Sequence, residues 1–152
     1  MAQNFANTNL AAAAGMVAAM IATQMLYKKV DLTMALNGAL GGLVSITAEP
    51  LAPSFLSAVL IGGFGGVLVV FAVPLLDELK IDDVVGAVPV HLICGIWGTL
   101  AVPFSNTGAK FGAQIPGIVA IGAFVVIAST IVWVALKMTV GIRLDEEAEV
   151  MG

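Results

Sequence analysis

The charged residues of this chain are clustered, and they leave five long stretches without any charge. These stretches are Ala2 to Tyr27, Leu32 to Ala48, Pro50 to Leu76, Val84 to Ala109 and Phe111 to Leu136. An α-helix needs about 20 apolar residues, each rising about 1.5 Å, to cross a bilayer. Four of the stretches exceed this length, whereas the second has only the 17 residues from 32 to 48. The charge spacing therefore predicts five spanning helices, the second of them either short and upright or shielded by its neighbours.

The amino-acid composition excludes an ordinary soluble domain. Hydrophobic residues make up 60% of the chain, charged residues only 11%, and the mean hydropathy is +1.07, whereas soluble domains carry about 25% charged residues. We predict an all-α membrane protein with a transmembrane region at residues 1–138 and helices at about 5–27, 32–48, 54–76, 84–103 and 112–138. Residues 139–152 are predicted to form an acidic cytoplasmic tail, which is unsuited to binding nucleic acid.

The basic residues predict the orientation in the membrane. Five of the six would lie on one side if the five helices alternate in direction, namely Lys28, Lys29, Lys80, Lys137 and Arg143. Only Lys110 falls on the other side. By the positive-inside rule the first side is the cytoplasm. We therefore expect a multi-pass protein of the inner or plasma membrane, with its N-terminus outside and its C-terminus in the cytoplasm.

Small residues recur at helical spacing in two of the predicted helices. Gly38 and Gly42 form a GxxxG pair, and Ala58, Gly62 and Gly66 continue the same spacing in the next helix. Such residues let helix backbones approach closely in lipid. They are typical of a compact helical bundle. A phosphate-binding loop is excluded, because no strand precedes these glycines and no Lys-Ser or Lys-Thr follows them.

His91 is the only histidine, and it lies within the fourth apolar stretch. At 3.6 residues per turn it shares a stripe with Cys94, Gly95 and Gly98, which we expect to face other helices. Pro89 is predicted to kink the helix or to expose a backbone carbonyl just before His91.

Three roles compete for His91: an interhelical hydrogen bond, a metal ligand with Cys94, and a lining residue of a solute pathway. One histidine and one cysteine leave a tetrahedral metal site incomplete, so we expect neither metal nor cofactor. The residues alone do not separate the other two roles. Asp82 and Asp83 directly precede this helix and are suited to cap its N-terminus.

Four segments resemble the C-terminal part of the Amt/Mep/Rh family of ammonium transporters. In order along the chain they read NTNLAAAAG, LNGALGGLVSITA, DDVVGAVPVHLICGIWGTLAV and VGIRLDEEAEV. The family has eleven spanning helices, and these segments are similar to its last five. The resemblance implies a trimer in which each subunit has a narrow hydrophobic pore with two histidines near its middle. His91 occupies the position of one pore histidine, in the motif DD...VH..CG.WG.

The same resemblance implies a regulatory role for the tail. In the family, the segment after the last helix packs under the subunits and interacts with regulatory proteins of the PII type. The residues here that match its opening are Gly141, Arg143, Glu146, Glu147 and Glu149. A solvated charged end is the simpler interpretation of the acidic residues.

We therefore predict that the chain is the C-terminal portion of an ammonium or ammonia transporter and is not an enzyme. It is expected to act as a homotrimer or together with the transporter helices that it lacks. The alternative is a structural or regulatory membrane subunit that conducts nothing, or a truncated relic of the transporter. An unrelated bundle that binds a lipid or hydrophobic cofactor is disfavoured because paired axial ligands are absent from the sequence.

Overall fold

The computed structural model describes residues 1–142 and Met151, and within these residues the secondary structure is entirely helical. The helices are α1 (Ala2–Tyr27), α2 (Leu32–Ile46), α3 (Phe55–Glu78), a π-helix (Val88–Ile93) that continues directly as α4 (Cys94–Ser105), and α5 (Phe111–Thr139). The predicted fold class is confirmed. The contacts divide the chain into one unit at Met1–Ile115 and a second at Pro116–Gly152.

Four of the described helical segments are long and apolar enough to cross a membrane: α1, α3, the π-helix with α4, and α5. The second predicted span is shorter, because α2 has 15 residues and would extend about 22 Å. It is also enclosed, since it packs against α1, α3, the π-helix and α4. Shielding by its neighbours thus allows this segment to be shorter than the hydrocarbon core.

Glycines bring α1, α2 and α3 into backbone contact, as the GxxxG spacing predicts. A Cβ on Gly38 would lie 2.5 Å from the Cβ of Ala19 in α1. A Cβ on Gly66 would lie 2.7 Å from the Cα of Gly15 and still closer to that residue's carbonyl oxygen. Because nothing larger than hydrogen fits at these points, the three helices pack through their backbones rather than through side chains.

One end of the first unit is formed by the start of α1, the α2–α3 loop and the end of α4. The side-chain amide of Asn7 donates to the carbonyl oxygens of Pro50 and Pro53 at 2.9 and 2.8 Å. Across the same end, the Nδ2 of Asn106 donates to a carboxylate oxygen of Glu49 at 3.2 Å. We call this region the loop end of the bundle.

Few of the polar residues inside the helices connect one helix to another, contrary to the usual role of such residues. Thr8, Asn9, Ser45 and Thr47 instead donate to backbone carbonyls of their own helices. Short polar side chains reach the carbonyl three or four residues back without a partner helix. Asn7 and Asn37 do bond to other segments.

The second unit begins within α5, and no described residue of α5 is buried. Just after the end of α5 at Thr139 comes a glycine with a left-handed backbone. Gly141 has φ +83°, and its N–H donates to the carbonyl of Leu136 at 3.0 Å. This pattern closes a helix C-terminus and favours glycine. The predicted site residue Gly141 therefore ends α5.

Candidate functional site

The site around His91 is built on a π-helix, which the sequence pattern does not predict. At its end the N–H of Cys94 donates to the carbonyls of Pro89 and His91. The bond to Pro89 spans five residues instead of four, so the turn that contains His91 is wider than an α-helical turn. Pro89 favours this widening because it supplies no N–H and crowds the preceding turn.

An aspartate fixes the start of the π-helix. The two carboxylate oxygens of Asp83 accept hydrogen bonds from the backbone N–H groups of Ala87 and Val88, each at 2.8 Å. The capping role predicted for Asp83 is confirmed. Asp82 is exposed and its side chain makes no hydrogen bond within residues 1–142. The helix starts at Val88 rather than at the predicted 84, because the chain turns at Gly86 with φ +74°.

A buried asparagine in α2 holds this turn in place. The Nδ2 of Asn37 donates to the carbonyl oxygen of Val85 at 3.1 Å. Val85 lies four residues before Pro89, which has no N–H with which to bond this carbonyl. A Cβ on Gly86 would lie 2.7 Å from the same Nδ2. Asn37 thus pairs a backbone carbonyl in the turn just before the helix that carries His91.

His91 itself is exposed, as is Leu92 after it, whereas Val90 before it and Cys94 one turn later are buried. Val90 and Cys94 are 2% and 0% exposed and pack against Val69. Val69 lies nine residues before the end of α3, or about 13 Å along that helix. His91 is therefore well inside the bundle in depth, with its ring on an open face.

The prediction that His91 and Cys94 share one face of the helix is wrong. Cys94 and Gly98 are buried among the helices as expected, whereas His91 faces away from them. The wide π-turn between His91 and Cys94 changes the angular spacing on which the 3.6-residue prediction depended.

Cys94 and His91 do not converge on one ligand position. The thiol of Cys94 is buried and donates to the carbonyl of Gly65 at 3.4 Å. Among the described residues, no group of three His, Cys, Asp or Glu side chains is placed to bind a metal ion. The contacts of Cys94 are those of a small core residue.

The sequence matches the Ammonium Transporter Family over residues 1–152. The chain belongs to this family. It is 49% identical to a putative ammonium transporter of Synechocystis over 73% of this chain and 26% of the relative. It is 36% identical to ammonium transporter Amt2 of Archaeoglobus fulgidus, over 96% of this chain and 36% of the relative.

Solved structures of the family show the same fold. A structure described as a sensor Amt protein superposes with a TM-score of 0.93 at 30% identity, over 99% of this chain and 40% of that one. The crystal structure of Candida albicans Mep2 gives a TM-score of 0.84 at 25% identity, over 95% of this chain and 37% of that one. The chain thus spans less than half the length of these relatives.

Family membership and the long apolar helices make this a multi-pass membrane protein. The predicted tail contacts Arg143, Glu146, Glu147 and Glu149 lie outside the described residues, whereas Gly141 lies within them.

The residues that the sequence analysis did not identify are those that support the site from other parts of the chain. Asn37 has no sequence signal for its role, because its bond to Val85 depends on the turn at Gly86.

Proposed function

We propose that this chain forms one side of an ammonium-conducting pathway, and that His91 lines it. The observation that carries the proposal is the open position of His91, which is exposed although Val90 before it and Cys94 one turn later are buried. A histidine that bridged two of the described helices would be covered by one of them, and His91 is not. We take ammonium as the substrate because the chain is similar to proteins named as ammonium transporters.

The chemistry of imidazole suits this role. A neutral imidazole has one N–H donor and one acceptor nitrogen, so it can hydrogen-bond a small polar molecule that has lost its water. Each of its two ring nitrogens can carry a proton, so the ring could accept a proton separated from ammonium on one side and release one from the other. A second histidine, which the family resemblance implies, would come from helices that this sequence does not contain.

The test uses a fusion in which the missing helices of an ammonium transporter precede this chain. We expect His91→Ala to lower ammonium transport by about 100-fold, the lower part of the range for a positioned proton-transfer group. Transport is measured as ammonium-evoked current in proteoliposomes. The control is Leu92→Ala, because Leu92 is the adjacent exposed residue of the same π-helix and has no titratable group. Unchanged rate and ion selectivity in His91→Ala would contradict the proposal.

We also propose that the N-terminus lies outside and the C-terminus in the cytoplasm, as the basic residues indicate. In a Cys94→Ala background, we expect Lys29→Cys and Asp82→Cys to be protected in intact cells from a thiol reagent that does not cross membranes. Thr107→Cys, in the exposed connection after α4, should be labelled. Labelling of the first two sites with protection of the third would show that the protein has the opposite orientation.

The proposal includes two further features that the resemblance implies, a homotrimer of such pores and contact between the tail and a PII-type protein. The role proposed for His91 depends on neither feature, because the open face belongs to a single chain.

A further inference from the structure

The backbone carbonyl of Val85 receives its hydrogen bond from another helix. In an α-helix the N–H four residues later would donate to it, but that position is Pro89, which has no N–H. The next N–H, that of Val90, donates instead to the carbonyl of Gly86 at 3.1 Å. The Nδ2 of Asn37 in α2 donates to the carbonyl of Val85, also at 3.1 Å. This bond therefore replaces the helical bond that Pro89 removes.

The bond from Asn37 also affects which carbonyl the N–H of Val90 uses. Val90 donates four residues back, as in an α-helix, whereas donation five residues back, to Val85, would be a π-helical bond. Because Asn37 already donates to Val85, this carbonyl does not need the N–H of Val90. The wide turn is thereby kept at His91 instead of extending to the residues before it.

The position of the wide turn determines the direction of the His91 side chain. In the structure this turn lies between His91 and Cys94, and His91 faces the open side while Cys94 is buried. If the wide turn lay before His91, regular α-helix would separate the two residues, and residues three apart in an α-helix share a face. The imidazole would then turn toward the buried face and away from the pathway.

The C-terminal end of this segment is fixed by close packing. The thiol of Cys94 donates to the carbonyl of Gly65 in α3 at 3.4 Å. A Cβ on Gly98 would lie 2.5 Å from the carbonyl oxygen of Ser45 in α2. Because the contact at Gly98 involves backbone, α4 does not rotate without displacing α2. A change at the start of the π-helix is therefore taken up by the residues between the two ends.

Asn37 itself lies on a firmly packed part of α2. Its side chain is 9% exposed, and a Cβ on the adjacent Gly38 would lie 2.5 Å from the Cβ of Ala19 in α1. One turn further along α2, a Cβ on Gly41 would lie 3.1 Å from the Sγ of Cys94. The same helix thus supports both ends of the segment that carries His91.

We propose that Asn37 is a positioning residue for His91. Its amide bonds the carbonyl of Val85, holds the wide turn at His91 and so keeps the imidazole on the open face. Asn37 acts through the backbone and not on the transported molecule. The consequence for transport rests on the proposed function, whereas the direction of residue 91 does not.

The test compares how fast a thiol reacts at position 91 and at position 90. His91→Cys and Val90→Cys are each made in the full chain with Cys94→Ser, whose hydroxyl is also able to donate to the carbonyl of Gly65. The purified variants in detergent react with N-ethylmaleimide, and labelling is followed by mass spectrometry. The thiol at position 91 should react faster, because His91 is exposed and Val90 is 2% exposed.

Asn37→Leu should lower the ratio of these two rates by about five- to tenfold, the usual effect of one hydrogen bond on an equilibrium. The matched control is Asn7→Leu, because Asn7 is also buried and its amide also donates to loop carbonyls, but at the loop end of the bundle. This control should leave the ratio unchanged. Gly86→Ala should lower the ratio, since its Cβ would lie 2.7 Å from the Nδ2 of Asn37.

Circular dichroism verifies the helical structure of every variant. If Asn37→Leu loses its helices, Gly86→Ala and Asn37→Ser decide the question, because a serine hydroxyl is too short to reach Val85. An unchanged ratio in the helical variants would overturn the inference. An equal fall in Asn7→Leu, or equal reaction rates at positions 90 and 91 with Asn37 intact, would also overturn it.

The consequence for transport is measured in the fusion with the missing helices. Asn37→Leu should lower the ammonium-evoked current, and Asn7→Leu should lower it less. The labelling ratio tests the positioning of residue 91 even if His91→Ala leaves transport unchanged, an outcome that would contradict only the proposed function.

Discussion

Gly62→Ala is expected to separate α3 from α1 and to destabilise the first unit by more than about 3 kcal/mol, beyond the usual cost of overpacking. A Cβ at this position would lie 2.5 Å from the Cα of Ala11 and 2.7 Å from its carbonyl carbon. Both atoms belong to backbone, so neither moves without displacing a whole helix. The neighbouring Gly63 provides the matched control, because a Cβ there would meet its nearest atoms at 3.9 Å or more.

The two alanine variants are compared by thermal unfolding in detergent, followed by circular dichroism. Gly63→Ala should unfold at the same temperature as the unchanged chain or above it, since alanine favours a helix over glycine by about 1 kcal/mol. Equal unfolding temperatures for Gly62→Ala and Gly63→Ala would mean that close backbone packing at Gly62 does not hold the bundle together.

The helical fold and the close packing of α1, α2 and α3 could be predicted because each has a local signal. The charge clusters predict where a helix can cross a membrane, and the spacing of Gly38 and Gly42 predicts where backbones meet. The cap by Asp83 also follows from its place before an apolar stretch. Each signal involves residues within a few positions of one another along the chain.

The geometry at His91 could not be predicted, because it depends on residues that are distant in the sequence. A proline predicts a disturbed helix, yet a kink, a break or a π-turn all accommodate Pro89. In the fold, this π-turn is accompanied by a bond from Asn37, which lies 48 residues before the carbonyl of Val85 that it binds.

The 152-residue chain reconstituted alone is expected to conduct no ammonium. A pore needs a wall around its whole circumference, and the described chain places His91 on an open face. Leu92 beside it is 54% exposed, and Val84 and Val85 before it are 90% and 69% exposed. The measurement is ammonium-evoked current and internal pH change in liposomes, compared with empty vesicles.

Two copies of the chain are not expected to complete one another. The halves of transporters of this kind are related by inverted repeats, so self-completion requires one copy to insert upside down. The five-to-one distribution of basic residues favours a single orientation for all copies. Parallel copies would present identical faces, which leaves each His91 without an oppositely oriented partner. A current that saturates with ammonium and disappears in His91→Ala would contradict this, because it would require a closed wall built from these helices alone.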